Sequence, residues 1–287
     1  MWQKLFPESD ALYSFAETNY SMELIEILGY LGALIIGVVL GLVGGGGSIL
    51  TVPIFVYLLY INPVTATAYS LFVVGVSALV GAFRNMQKGL VDFRTAIVFA
   101  IPAFIAVYIA RKFLLPAIPD ELFTVGDFMV TKNIVIMIFF ALIMLIASIS
   151  MIRDKNGKPE IETQVRYNYP LIIIEGIVIG LLTGIVGAGG GFLIIPALVV
   201  LAKLPMKKAV ATSLLIIAIK SLIGFIGDIE NLEIDWTFLL SFSAVSIVGI
   251  FIGVWLNKFI DGHKLKKAFG WFVLVMGVYI LIREFLG

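Results

Sequence analysis

The chain has 287 residues, 61% hydrophobic and 14% charged, with a formal net charge of +1 and no cysteine. Soluble domains carry nearer a quarter of charged residues, so a water-soluble enzyme is excluded, and the near-neutral balance points to no nucleic-acid partner. The lack of cysteine removes disulfides, thiolate chemistry and cysteine metal sites. The apolar runs are continuous rather than alternating as in a membrane barrel. The class is therefore an all-α polytopic membrane protein, with the lipid bilayer as its first partner.

Residues 1–23 show no basic start followed by an apolar core, so no cleavable signal is expected. Trp2, Leu5, Phe6, Leu12, Tyr13 and Phe15 suit an N-terminal interfacial segment. Apolar segments then fall at about 24–43, 48–61, 66–86, 93–113 and 131–152. They recur at about 169–187, 191–204, 209–227, 236–257 and 268–285. About 20 residues are needed to cross a bilayer core, so 48–61 and 191–204 are too short to cross comfortably. A polar stretch at 153–168 is the linker, expected in the cytoplasm, between repeat 1 (24–152) and repeat 2 (169–287).

The repeats keep one spacing. A shift of 143 positions carries Gly37 onto Gly180, and likewise Pro53 onto Pro196, Ser70 onto Ser213, Gly81 onto Gly224 and Asp92 onto Asp235. Chance similarity between apolar runs does not hold glycine, proline and aspartate in register.

Both copies break at a glycine cluster, Gly44-Gly45-Gly46-Gly47-Ser48 and Gly187-Ala188-Gly189-Gly190-Gly191. Backbone outside a helix is tolerated at membrane depth only where it is buried in protein or lines a cavity. If each cluster crossed the membrane, the lysines and arginines of the loops would divide evenly between the two sides. If each is the tip of a hairpin, the loop cations other than Lys4, Arg111, Lys112, Lys132 and Arg283 share one side. The positive-inside rule favours the second arrangement. It gives two inverted-topology repeats, each a Gly-tipped broken-helix hairpin plus three transmembrane helices, with both termini outside.

Inverted repeats with broken helices are the architecture of secondary transporters, which place their sites near the midplane. Helix starts at Ser48 and Gly191 would point free N–H groups and positive dipole ends into the cavity, favouring an anion. Gly37 with Gly41, and Gly180 with Gly184, fit small-xxx-small helix packing instead. No Gly-Lys-Ser/Thr follows either cluster, which disfavours a phosphate loop.

Lys220 lies inside an apolar run, where an ionisable group is a functional residue by default. Its repeat mate is Ser77, so the duplicated architecture does not demand the charge. Ser213 and Ser70 lie seven residues earlier on the same faces and could hydrogen-bond an oxyanion. Tyr69 and Thr212 flank them as secondary contacts. Glu175, also inside an apolar run, is a candidate for pairing with Lys220 or for carrying a coupling proton. Asp92 and Asp235 read as helix N-caps, and His263 as a solvated loop residue. No cofactor, catalytic group or metal site is indicated: one loop histidine and no clustered carboxylates do not make a metal centre.

The duplicated Gly-rich-to-Pro element, the Ser-Leu after Tyr69 or Thr212, and the Val/Ile-Asp-Phe/Trp element resemble the sulfite exporter (TauE/SafE) family of membrane permeases. The resemblance covers about residues 24–285. It implies transport of a small sulfur anion, sulfite or an organosulfonate such as sulfoacetate, across a bacterial-type inner membrane, with export the expected direction. The alternatives are a transporter or channel for another small anion, and a non-transporting membrane assembly protein. Homo-oligomerisation stays open.

Overall fold

The computed structural model describes residues 7–45, 47–125, 128–153, 169–200, 204–256, 259 and 262–286. Gly46, residues 1–6 and linker residues 154–168 lie outside them, as do the side chains of 7–23 and of His263. Among the described residues, six helices are long and apolar enough to cross a membrane.

Helix α1 (Pro7–Val43) is followed by α2 (Ser48–Pro53) and a π-helical segment, Ile54–Leu58. Then come α3 (Pro63–Gln87), α4 (Phe93–Ile109), a second π-helical segment (Ala110–Leu114) and the short α5 (Leu115–Ala117). The second half contains α7 (Tyr169–Val186), α8 (Gly191–Val200), α9 (Met206–Ile226), α10 (Trp236–Leu256) and α11 (Gly262–Leu286). Between the sets lie an antiparallel ribbon, β1 (Glu121–Val125) with β2 (Phe128–Thr131), and α6 (Lys132–Arg153). The ribbon is a departure from an all-helical chain. Leu122, Phe123, Thr124 and Val125 are residues that suit a pleated surface better than a helix.

Local chemistry sets the boundaries. Asn62 Oδ1 accepts from the Val64 N–H ahead of α3, with Pro63 in the first turn. Asp92 and Asp235 cap α4 and α10, accepting from Thr95 N (2.8 Å) and Phe238 N (3.0 Å). Helices α1 and α7 end where Gly44 and Gly187 adopt φ of +80° and +71°, each donating its N–H back to Leu40 O or Thr183 O at 2.8 Å. Only glycine takes that conformation without steric cost.

After each break the chain doubles back. A Cβ on Gly47 would meet the Ile36–Leu40 backbone, one on Gly32 would meet Ile54, and one on Gly29 would meet Leu59. The arm from Ser48 to Leu59 therefore runs antiparallel along α1. In the second half Gly190 lies against Thr183 in the same way. The glycine clusters are hairpin tips.

The two halves pack by exchange. Gly37 and Gly41 of α1 lie against Ser246–Gly249 and Ile250–Gly253 of α10. Their counterparts, Gly180 and Gly184 of α7, lie against Ala103–Ala106 and Val107–Ala110 at the end of α4 and just beyond it. The central pair, α3 and α9, runs antiparallel: Gly75 meets Leu222, Gly81 meets Leu214, and Gly224 meets Leu71. Two hydrogen bonds repeat the exchange. Asp92 N–H donates to Thr212 Oγ1 (3.0 Å) and Asp235 N–H to Tyr69 OH (2.7 Å).

The outer surface is apolar. Phe93, Ile97, Ile101, Ile105 and Ile109 are all exposed along α4, one at every fourth position, which is a single helix face. On α10, Trp236, Leu240, Val248 and Trp255 are exposed likewise. Such stripes fit acyl chains. The protein is a multi-pass membrane protein.

Candidate anion site at the glycine tips

The two tips meet. A Cβ on Gly45 would overlap the Gly191 backbone, and one on Gly189 would come within 3.1 Å of Ser48 Cβ. Ser48 is buried and its Oγ donates to Gly45 O at 2.7 Å, tightening the first tip from within. Gly44, Gly45, Gly47, Gly187, Ala188, Gly189, Gly190 and Gly191 are all buried. Each tip also leans on the central helix of the opposite half: Gly44 on Val210 of α9, Gly187 on Thr67 of α3.

Lys220 sits at the second tip. It is wholly buried, and its Nζ donates to Thr183 Oγ1 at 2.6 Å. A Cβ on Gly190 would stand 3.0 Å from that Nζ, so the absence of a side chain there admits the ammonium to the tip backbone. Among the described residues no carboxylate lies within ion-pair distance of Lys220. Glu175 is half-buried on α7, eight residues before Thr183, about 12 Å along the helix axis; no ion pair joins it to Lys220. A lone ammonium at such depth is costly, about 2.5–3.5 kcal/mol on insertion scales.

Ser70 lies between Thr67 and Val74, the α3 residues that Gly187 and Gly189 touch, on one helix face. Its Oγ is buried with no hydrogen-bond partner. Ser213 lies on α9 between Val210, which Gly44 touches, and Ile217, which Gly189 and Gly191 touch, and its Oγ donates to Val210 O at 2.8 Å. The antiparallel register of α3 and α9 separates the two serines by roughly 18 Å along the pair axis. At that separation they do not converge on one bound ion. Ser77, opposite Lys220 in that register, donates its O–H to Ser246 Oγ at 2.9 Å. Tyr69 and Thr212 hold the starts of α10 and α4 through the backbone hydrogen bonds already described, so their hydroxyls are engaged away from the tips.

Sequence reasoning missed Arg111, which the charge distribution placed in a loop. It is fully buried at the base of the second tip: Nε donates to Asp228 Oδ2 (2.7 Å), and Nη1 to Thr67 Oγ1 (2.9 Å) and Gly184 O (3.2 Å). Burial raises the Asp228 carboxyl from its ordinary value, against the pull of Arg111. Thr183 was missed too, because a threonine in an apolar helix ordinarily bonds its own preceding turn. Thr183 does so, to Ile179 O at 2.7 Å, and accepts from Lys220 as well. An open groove of about 560 Å³, lined by Leu79, Val80, Phe83, Arg84, Gln87 and Phe251, lies elsewhere, on the lipid-facing side of α3 and α10.

Comparison with known proteins places the chain among membrane transporters. The family model described as sulfite exporter TauE/SafE matches residues 29–280. A probable membrane transporter protein of Xylella fastidiosa (strain 9a5c) is 28% identical over 256 residues, 87% of this chain and 92% of its own length. The probable membrane transporter protein YunE of Bacillus subtilis is 28% identical over 243 residues, 78% of this chain and 86% of its own. A third, MJ0441 of Methanocaldococcus jannaschii, is 35% identical over 117 residues, 39% of this chain and 44% of its own. No solved structure matches. With a family model matching nearly its whole length, and full-length relatives named as membrane transporters, the chain belongs to the sulfite exporter TauE/SafE family.

Proposed function

We propose that this membrane transporter moves a small sulfur-containing anion, sulfite or an organosulfonate such as sulfoacetate, out across the inner membrane by alternating access. The observation that carries the reading is Lys220. A buried ammonium, bonded to a neutral hydroxyl and pressed against the bare backbone of Gly190, has an uncompensated charge that a monoanion would neutralise. The first turn of α8 leaves N–H groups without helical acceptors beside it, and Ser70 supplies a further polar atom facing the same tip.

The exchanged packing, with α3 antiparallel to α9 and hairpins that double back, supports two halves inserted in opposite orientations. Both termini are then outside and the 153–168 linker is in the cytoplasm. Contact between Gly45 and Gly191 favours a carrier with a closed centre over a continuous pore. Opening to either side would part the tips as one half rocks or slides against the other.

Reconstituted Lys220→Ala should lose at least ~90% of sulfite or sulfoacetate transport, corresponding to about 1.4 kcal/mol or more of lost anion stabilisation, while remaining monodisperse in detergent. Undiminished transport and affinity would remove Lys220 from the site. Saturable counterflow would support a carrier; non-saturable flux would support a channel.

A further inference from the structure

We infer that Arg111 is a second anion-binding residue, taking an oxyanion at the base of the second tip, with the Asp228 carboxylate acting as an internal stand-in for that anion. The inference rests on the anion-transport reading above and adds a station to it.

The first argument is placement. Arg111 belongs to the π-helical segment Ala110–Leu114, and single π turns inside α-helices frequently mark functional sites. Arg111 is buried while the adjacent Lys112 reaches the surface and pairs with Glu230 at 3.1 Å.

The second is hydrogen bonding. A guanidinium carries five donors in a rigid fork that suits oxyanions. Asp228 takes Nε, and Thr67 and Gly184 take Nη1. Nη2 is buried with no partner, which native proteins rarely tolerate. Ser70 Oγ, also buried and unpartnered, lies one turn beyond Thr67 on the same face of α3. An oxyanion could accept from both Nη2 and Ser70.

The third is position. Of the two residues that fix the guanidinium, Thr67 is the seat of Gly187 and Gly184 lies three residues before it on α7. Lys220 flanks the same tip at Gly190. Gly227, whose added Cβ would come within 3.3 Å of Arg111 Cβ, lies seven residues along the chain from Lys220, about 10 Å by helical rise. Two cations thus bracket one tip, close enough to pass an anion between them. The shift of 143 positions carries Arg111 onto Val254 and Asp228 back onto Asn85, so the duplicated fold does not require the pair. A purely structural clasp between the end of α4 and the turn after α9 would use Arg111 and Asp228, but would have no use for the free Nη2.

The test measures binding of sulfite, sulfate and methanesulfonate by calorimetry, and sulfite transport in proteoliposomes, for wild type, Lys220→Ala, Arg111→Lys, Asp228→Asn and the double variant Arg111→Gln/Asp228→Asn. Asp228→Asn frees the fork. It should bind whichever of these anions wild type binds about tenfold more tightly and transport sulfite more slowly, because release is impaired. Arg111→Lys keeps the charge without the fork and should weaken binding. The neutral double variant should melt near wild type yet fail to transport. Wild-type transport by the double variant would reduce the pair to a clasp, and unchanged affinity in Asp228→Asn would also overturn the inference. If Lys220→Ala alone abolishes binding and the Arg111 and Asp228 variants behave as wild type, only this inference falls. If neither wild type nor Asp228→Asn binds any of the three anions, both readings fall.

Discussion

Lys220 and Ser77 occupy equivalent positions in the two copies, and the difference between them is informative. Ser77 bonds Ser246 across the halves and tightens the contact between α3 and α10, whereas Lys220 turns to Thr183 and the Gly190 backbone of its own half. The charge was legible in the sequence because a lysine among alanines, isoleucines and leucines stands out. Its partner was not, since Thr183 and Gly190 are near only after the hairpin closes. Arg111 was hidden for a related reason. It lies beside Lys112 near a helix end, where arginine ordinarily reaches for water, and only the π turn shows it aimed inward. Tyr69 and Thr212 can be separated from the anion site by experiment. Tyr69→Phe removes the acceptor for Asp235 N–H and should destabilise the fold by about 1–3 kcal/mol, seen as a lower melting temperature, with sulfite affinity unchanged. A loss of affinity with no change in melting would return Tyr69 to the site.

At the scale of elements, the 143-residue spacing anticipated where helices begin. The first residues of α2 and α8, α3 and α9, and α4 and α10 keep it, because the prolines, aspartates and glycines that set boundaries were duplicated with the apolar runs. The π segments and the ribbon were not legible. A π turn differs from an α turn by one residue of winding, and the sequence of Ala110–Leu114 is helical by any local measure. Among the described residues the ribbon strands, Glu121–Val125 and Phe128–Thr131, have no counterpart in the second half, so the repeat could not announce them. Two substitutions probe the hairpins. Gly191→Ala places a methyl group against the Gly45 backbone and should cut transport more than tenfold while leaving a folded protein, measured as initial sulfite flux beside a gel-filtration profile. Gly180→Leu forces bulk between α7 and α4 and should cost at least about 1–3 kcal/mol by overpacking, measured as the melting temperature in detergent.

For the molecule as a whole, helix directions bear on how it sits in the bilayer. Since α3 and α9 start at the same place in their repeats yet run antiparallel, Lys88 beyond the end of α3 and Lys207 at the start of α9 are brought to one face. Both are exposed, as are Asp120 and Glu233 at the other face. The chain has no cysteine, so single cysteines can be introduced cleanly. Lys88→Cys and Lys207→Cys should react with a membrane-impermeant maleimide from one side, and Asp120→Cys and Glu233→Cys from the other. Lys88 and Lys207 reacting from opposite sides would restore a parallel arrangement of the halves.

The exchanged packing also bears on what each half could be alone. Helix α1 buries its glycine face on α10, and α7 buries its own on the end of α4, so the chief surface of each half is completed by the other. Neither half is a domain in the sense of a unit with its own closed interior. Severed at the linker, residues 1–160 and 161–287 should be degraded when made singly and recovered together when co-expressed. The gene fusion that joined them would then have changed the stoichiometry of an existing pair more than its shape.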